Sequence, residues 1–267
     1  MLNNTIIAAP YEAKADLRAL VIEDVGTELI PTSEAGQRLF KIRAANSDGH
    51  RSSANILVNR MYAWRGYQSS VAPTPAFDSH RRITLVAEDH QETIGTMSIG
   101  FDGPDGLFVD DLFGEEVDRL RREGRAMCEF TKLAMDSVVK SKRVLASLFH
   151  VAYIYSHRLK NFDNLLIEVN PRHVRYYERM LGFEILGPER LNRRVNAPAV
   201  LMSLDFSHAH AQINRFGGRS QLSAVERSLY PYFFSVEEEA AIVGRLQGAP
   251  DRKAAHAPRR IRPVLAS

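Results

Sequence analysis

The chain has 267 residues, 45% hydrophobic and 25% charged, which is enough apolar material for a full-sized core and too ordinary a charge content for a disordered or fibrous chain. Its single cysteine, Cys128, excludes an intramolecular disulfide framework and a thiolate zinc site, and no run reaches the roughly 18 apolar residues that span a bilayer. The formal charge is only +3, yet the pI is about 9.0. Clusters at Arg119, Arg121, Arg122 and Arg125, at Lys140, Lys142 and Arg143, and from Arg252 to Arg262 therefore read as basic patches. They lack interleaved aromatics and any helix-turn-helix, RNA-recognition or zinc-finger pattern, which argues against nucleic acid and toward an acidic protein partner.

Residues 1 to 36 read as an N-terminal extension, with no basic region before the short apolar run Thr5 to Ala9, so no leader and a cytoplasmic location are expected. Leu39 to Ala45 alternates as a first strand, broken by Asn46-Ser-Asp-Gly49, and Ser53 to Tyr62 has helical spacing that closes at Trp64-Arg-Gly-Tyr67. A polar loop over 68–80, placed to cover a site, precedes the strands Ile83 to Glu88 and Thr93 to Gly100, which read as a hairpin through Asp89-His-Gln-Glu92. Asp102-Gly-Pro-Asp-Gly106 is a turn, and Asp110 to Arg122 an amphipathic helix.

The strand Arg125 to Met135 places one carboxylate, Glu129, between Cys128 and Phe130. Ser137 to His157 is the next helix and Asn164 to Val169 a short apolar strand; then Asn170-Pro171 turns into a helix to Leu181, with proline near its start and Gly182 as its stop. Strands follow at Phe183 to Leu186 and Ala197 to Phe206. The order is mixed α/β in one domain over 37–206. Residues 207–247 read as a helical C-terminal extension and 248–267 as a mobile basic tail, where peripheral membrane contact stays open.

Arg60-Met-Tyr-Ala-Trp-Arg-Gly-Tyr67, Gly106-Leu-Phe-Val-Asp-Asp-Leu-Phe113, Gly124-Arg-Ala-Met-Cys-Glu-Phe-Thr-Lys-Leu-Ala134, Asn170-Pro-Arg-His-Val-Arg-Tyr-Tyr177 and Val195-Asn-Ala-Pro-Ala-Val-Leu201, taken in order, resemble the long-chain N-acyl amino acid synthases. These belong to the GNAT acyltransferase superfamily and are similar to the acyl-homoserine lactone (autoinducer) synthases. The resemblance covers roughly residues 38 to 206. It implies a mostly antiparallel mixed sheet splayed between two central parallel strands, helices on both faces, and transfer of a fatty acyl group from acyl carrier protein to the amine of an amino acid. No bound cofactor is implied; acyl-phosphopantetheine is the donor substrate.

An ammonium must lose a proton before it attacks a thioester, and Glu129, partly desolvated on its strand, is the candidate base. The competing reading is an ion pair with Lys132 or a neighbouring arginine. Tyr177 stands where many enzymes of the superfamily carry an acid for the leaving thiolate, with Tyr176 as its rival because the helix has one extra residue. Arg60, Arg125, Lys132 and Arg172 are candidates for the acceptor carboxylate. By resemblance to the autoinducer synthases, Trp64 and Tyr67 are candidates for the acyl or acceptor pocket, with packing in the core as the competing reading; Asn170 and His173 are further substrate-binding candidates, His173 either orienting the Asn-Pro turn or reaching the site. Acetyl-CoA enzymes of the superfamily cradle pyrophosphate in a glycine-rich loop; here Ser137-Val-Val-Lys-Ser-Lys-Arg-Val144 has no glycine. It offers Lys140, Lys142 and Arg143 instead, suited to one phosphodiester and an acidic carrier. His208-Ala-His210 lacks a carboxylate partner, so no metal is expected, and Cys128 in an apolar strand should be inert. The alternatives are an autoinducer synthase, an acetyl-CoA N-acetyltransferase, or a non-catalytic acyl or carrier-protein sensor.

Overall fold

The computed structural model describes residues 5–12, 37–64, 66, 81–136 and 141–248. Tyr67, the 68–80 loop, Lys140 and the tail after 248 lie outside the described residues. Strands β1 (Thr5–Glu12), β2 (Gln37–Ala44), β3 (Arg82–Asp89), β4 (Glu92–Phe101), β5 (Met127–Met135), β6 (Asn164–Val169), β7 (Glu184–Ile185), β8 (Arg190–Asn192) and β9 (Ala197–Asp205) form one sheet. Its order is β1-β2-β3-β4-β5-β6-β9-β7, with β8 on β9. Only β5 and β6 run parallel; every other pair is antiparallel.

Helices cover both faces. On one side lie α1 (Asp48–Trp64) and α2 (Asp110–Arg122): α1 packs Leu57, Val58 and Met61 on Ala134, and α2 packs Phe113 and Val117 on Met127 and Leu166. The other side carries the main core, with α3 (Lys142–Tyr153), α4 (Val174–Leu181), α5 (Phe206–Phe216) and α6 (Val236–Gly248) against Leu85, Ile99, Cys128, Phe130, Leu165 and Ile167. Strand alternation produces this division, since successive side chains point to opposite faces.

The hairpin turn has two residues, His90 and Gln91, both at positive φ (44° and 73°), the geometry that matches the twist of the flanking strands. Gly182 caps α4 at φ 80°. The N-terminal extension is corrected in part, because Thr5–Glu12 is a sheet strand paired with β2 and burying Ile6, Ile7, Ala9 and Tyr11. β8 went unread, since three residues are too few to carry a period; α5 falls within the 207–247 segment read as helical, and Phe206 opens it in direct continuation of β9. Asp205 makes that junction by accepting the Ser207 N–H as an N-cap.

The feature that positions the site is the parting of β5 from β6. They pair only through Met127–Asn164, Cys128–Leu165 and Glu129–Leu166. Beyond Glu129, β5 carries an extra residue, with Lys132 and Leu133 opposite Met97 of β4, and Lys132 takes φ 53°. A bulge of this kind bends its strand and adds twist, and it lies just past the last rung that β5 shares with β6.

Candidate active site where the parallel strands part

Glu129 sits on the last rung before the gap and is fully buried. Its Oε1 accepts from Arg82 Nη2 at 2.7 Å, and Oε2 accepts from the Val109 backbone N–H at 3.1 Å. Burial raises its pKa above the usual 4.5, while the charge of Arg82 and the backbone amides of Phe108 and Val109 pull the other way. Its cross-strand neighbour is Gly100, where a Cβ would lie 2.8 Å from Glu129 Oε1. The glycine leaves the room that the carboxylate fills.

Register places Arg82 and Thr84 of β3, Ser98 and Gly100 of β4, and Glu129 and Thr131 of β5 on one face. This polar stripe runs between the apolar contacts of α1 and those of α2. Thr84 Oγ1 and Ser98 Oγ are 2.8 Å apart. Thr131 Oγ1 is buried with no hydrogen-bond partner among the described residues, an unusual state for a native hydroxyl. Lys132 is half-buried, and burial followed by the charge of Arg82 lowers its pKa. The stripe thus pairs a base candidate with two cations and an unsatisfied hydroxyl.

A second carboxylate stands across the gap. Glu168 of β6 shares the face of Leu166 and Glu129, two positions beyond the last rung, and burial raises its pKa, with the Glu129 charge adding to the rise. Arg194 donates to both of its oxygens at 2.9 and 3.1 Å, Asn192 donates to Oε2, and Arg194 also meets Asp111 at 3.3 Å. Two guanidiniums lie over the Phe108 ring, the carbon of Arg82 at 3.6 Å and that of Arg194 at 5.4 Å from its centroid. Arg82, Glu168 and Arg194 were not legible as site residues; the signal for Arg82 was its even-numbered position, which shares a face with Thr84 on a strand of fixed register.

Other predicted residues are dispersed. Arg60 pairs with Asp136 at the far end of β5 and is more than half exposed. Arg125 stands at the opposite end of that strand, bound to Asn164 and Asp205, and ties β5, β6 and β9 together away from the gap. Trp64 is 72% exposed. Asn170 accepts the Arg172 N–H at 3.2 Å to start the turn after β6, and Arg172 Nε is 3.2 Å from His173 Nε2. Tyr177 is half-buried against the main core, its ring edge-on to Phe183 at 5.7 Å and to Tyr176 at 5.5 Å. Tyr176 is 41% exposed.

The basic clusters are also partly spent. Arg121 is bound to Asp102, Asp110 and Asp118. Arg143 donates to the Tyr232 carbonyl at 2.9 Å and lies over the Phe234 ring, so the C-terminal extension occupies it; Lys142 stays exposed, 5.8 Å from the Tyr232 ring centroid. Among the described residues no group of three His, Cys, Asp or Glu side chains could hold a metal, and His210 is engaged by Tyr153 and Asn214. Burial pushes the Cys128 thiol up to about 12, which keeps it protonated. No described helix is long and apolar enough to cross a membrane.

The family described as N-acyl amino acid synthase FeeM matches residues 53–205. Among solved structures the chain is similar to FeeM, an N-acyl amino acid synthase from uncultured soil microbes, with a TM-score of 0.59 and 28% identity over 64% of this chain and 93% of that one. It also matches the AHL synthase LasI (TM-score 0.46, 13% identity, 63% of this chain and 90% of that one) and an N-acetyltransferase from Staphylococcus aureus Mu50 (0.44, 13%, 63% and 98%). A comparison with curated proteins finds no match.

Proposed function

The chain belongs to the FeeM family of N-acyl amino acid synthases and is an N-acyltransferase, and from that premise we propose that it moves a long-chain fatty acyl group from acyl carrier protein to the α-amine of an amino acid. The observation that carries the proposal is the polar stripe at the β5–β6 gap, where Glu129 is buried beside Arg82 and Lys132.

In this reading the acceptor carboxylate lies against Lys132 and Arg82, whose charges are poorly hydrated there and favour an anion. Thr131 Oγ1 accepts a hydrogen bond from the acceptor ammonium. The ammonium yields a proton to Glu129, directly or through water, and the raised carboxylate pKa makes it a better base than an exposed glutamate. The thioester rests between the parted strands, where β5 backbone N–H groups that no longer face β6 stabilise the oxyanion. Attack of the freed amine forms the C–N bond, and collapse of the tetrahedral adduct breaks the C–S bond. The leaving thiolate takes its proton from Tyr177 or from water, which recovers it from the nitrogen of the adduct.

One feature supports acyl carrier protein as donor: Ser137 to Val144 has no glycine to let backbone amides close on a pyrophosphate. The test is amide formation by the purified enzyme from one acyl group presented on carrier protein or on CoA. The proposal expects the higher kcat/KM with the carrier protein; a higher value with CoA overturns the donor assignment.

A further inference from the structure

On the reading of Glu129 as the base given above, we infer that Arg121 of α2 is a positioning residue for it. Arg121 fixes the loop over 102–109, and the backbone of that loop sets where the Glu129 carboxylate stands.

Glu129 is held from two sides, and one loop serves both. Val109 donates its N–H to Oε2 at 3.1 Å, while Arg82, which donates to Oε1 at 2.7 Å, lies over the ring of Phe108 with its guanidinium carbon 3.6 Å from the centroid. A displaced Phe108-Val109 pair loosens both contacts. The backbone amides of these two residues also lower the carboxyl pKa against the effect of burial, so the loop's position is written into the titration of the base.

Arg121 anchors that loop at both ends. Its Nε and Nη2 donate to the two oxygens of Asp102, just after β4, at 2.9 and 2.8 Å. Its Nη1 and Nη2 donate to the two oxygens of Asp110, the first residue of α2, at 2.9 and 2.7 Å, and Nη1 also reaches Asp118 at 2.7 Å. A planar fork can bridge two carboxylates in this way; the point charge of a lysine cannot. Asp110 passes the constraint inward, since its Oδ2 accepts the Leu107 N–H at 2.6 Å. Gly106, at φ 71°, makes room for that oxygen, which a Cβ would meet at 2.6 Å. Leu107 and Val109 are then buried with Phe113 and Val117. Arg121 is 30% exposed, and ion pairs at such a site contribute modestly to global stability. Its loss should therefore be felt in the loop more than in folding.

The experiment compares wild type with Arg121→Gln, Arg121→Lys and Asp110→Asn, each shown to be folded by a cooperative thermal transition. The Glu129 carboxyl is titrated by NMR in protein carrying ¹³C-labelled glutamate, its resonance identified by its absence from Glu129→Gln, and kcat and KM for amide formation are measured across pH. Arg82 on β3, Lys132 on β5 and Glu168 on β6 are the charged groups that share the site with Glu129, and no variant alters them. With the loop released, Glu129 should titrate higher in Arg121→Gln by about one pH unit, and the acid limb of kcat/KM should rise with it, about tenfold in rate below the limb. The loss should fall on kcat more than on the KM for the amino acid. Arg121→Lys should recover only part of it, and Asp110→Asn should shift the carboxyl in the same direction. Folded variants whose Glu129 titrates as in wild type overturn the inference, even where Tm falls. A carboxyl that shifts while the acid limb stays in place supports the positioning role and counts instead against Glu129 as the base.

Discussion

Glu129 faces opposing influences, since burial disfavours its charge while Arg82 and two backbone amides favour it. The result is a carboxylate that titrates above 4.5. The acid limb of kcat/KM should therefore lie above the ordinary carboxylate range, with activity rising as pH rises through it; Glu129→Gln should lose most of kcat and lack that limb. The same shift has a stability consequence. A raised folded-state pKa favours folding below the unfolded value and loses that contribution as pH rises through the folded value. Relative to wild type, Glu129→Gln should gain stability with rising pH, measured by denaturant unfolding on either side of the limb.

Gly100 is the residue most tightly bound to that arrangement. In Gly100→Ala the new Cβ meets Glu129 Oε1 at 2.8 Å and Cγ at 2.9 Å, so the carboxylate must shift or β4 must move. Overpacking of this kind costs about 1–3 kcal/mol, and activity should fall with it, readable as a lower Tm together with reduced kcat. Lys132 separates binding from chemistry. Glycine tolerates its φ of 53°, so Lys132→Gly should keep the bulge and raise the KM for the amino acid more than it lowers kcat. An unchanged KM would remove Lys132 from acceptor binding.

At the scale of elements, much was legible because local chemistry and tertiary context agreed. The hairpin through His90 and Gln91, the amphipathic α2 and the glycine stop of α4 stand where the residues predict them. Asn46-Ser-Asp-Gly49 reads as a break, and the break is the start of α1, with Ser47 Oγ accepting the His50 N–H at 3.2 Å. The bulge at Lys132 was not legible, since nothing in Thr-Lys-Leu marks a left-handed residue. Arg143 reads as a phosphate ligand only while the partner of its guanidinium, a carbonyl 89 positions later, is unknown.

The C-terminal segment carries its own titratable clamp. His150 is fully buried on α3, takes the Phe234 N–H at Nδ1, and sits 2.9 Å from Glu239 through Nε2, with Phe233 and Phe234 stacked on its ring. Accepting at Nδ1 requires the neutral ring, and burial lowers its pKa below 6.5. A histidine depressed in the folded state stabilises above its unfolded pKa and loses that contribution as pH falls through the folded value. Hydrogen exchange over 230–248 should therefore accelerate as pH drops below 6.5, after correction for intrinsic rates, ahead of exchange in β4 and β5. His150→Phe should abolish the pH dependence.

Across the whole molecule, the mostly antiparallel sheet, the parallel pair and helices on both faces are those implied by the family resemblance, and the candidate site lies where the parallel pair parts. The base candidate was visible as one carboxylate in an apolar strand. Its companions were not, because Arg82, Glu168 and Arg194 come from three elements that only sheet register brings together. The C-terminal segment reads as helical and packing back on the domain, but that its Tyr230 and Phe233 wall a small apolar cavity under the β5–β6 junction was not legible. Such contacts are set by long-range packing, which composition and periodicity do not encode.

The most direct test of the account is mass spectrometry of lipid extracts from a host expressing wild type or Glu129→Gln at equal folded levels. The account predicts amide-linked fatty acyl amino acids with wild type and their loss with Glu129→Gln. The same lipids from both proteins would contradict Glu129 as the base, and no such lipid from folded wild type supplied with acyl carrier protein would contradict the proposed reaction.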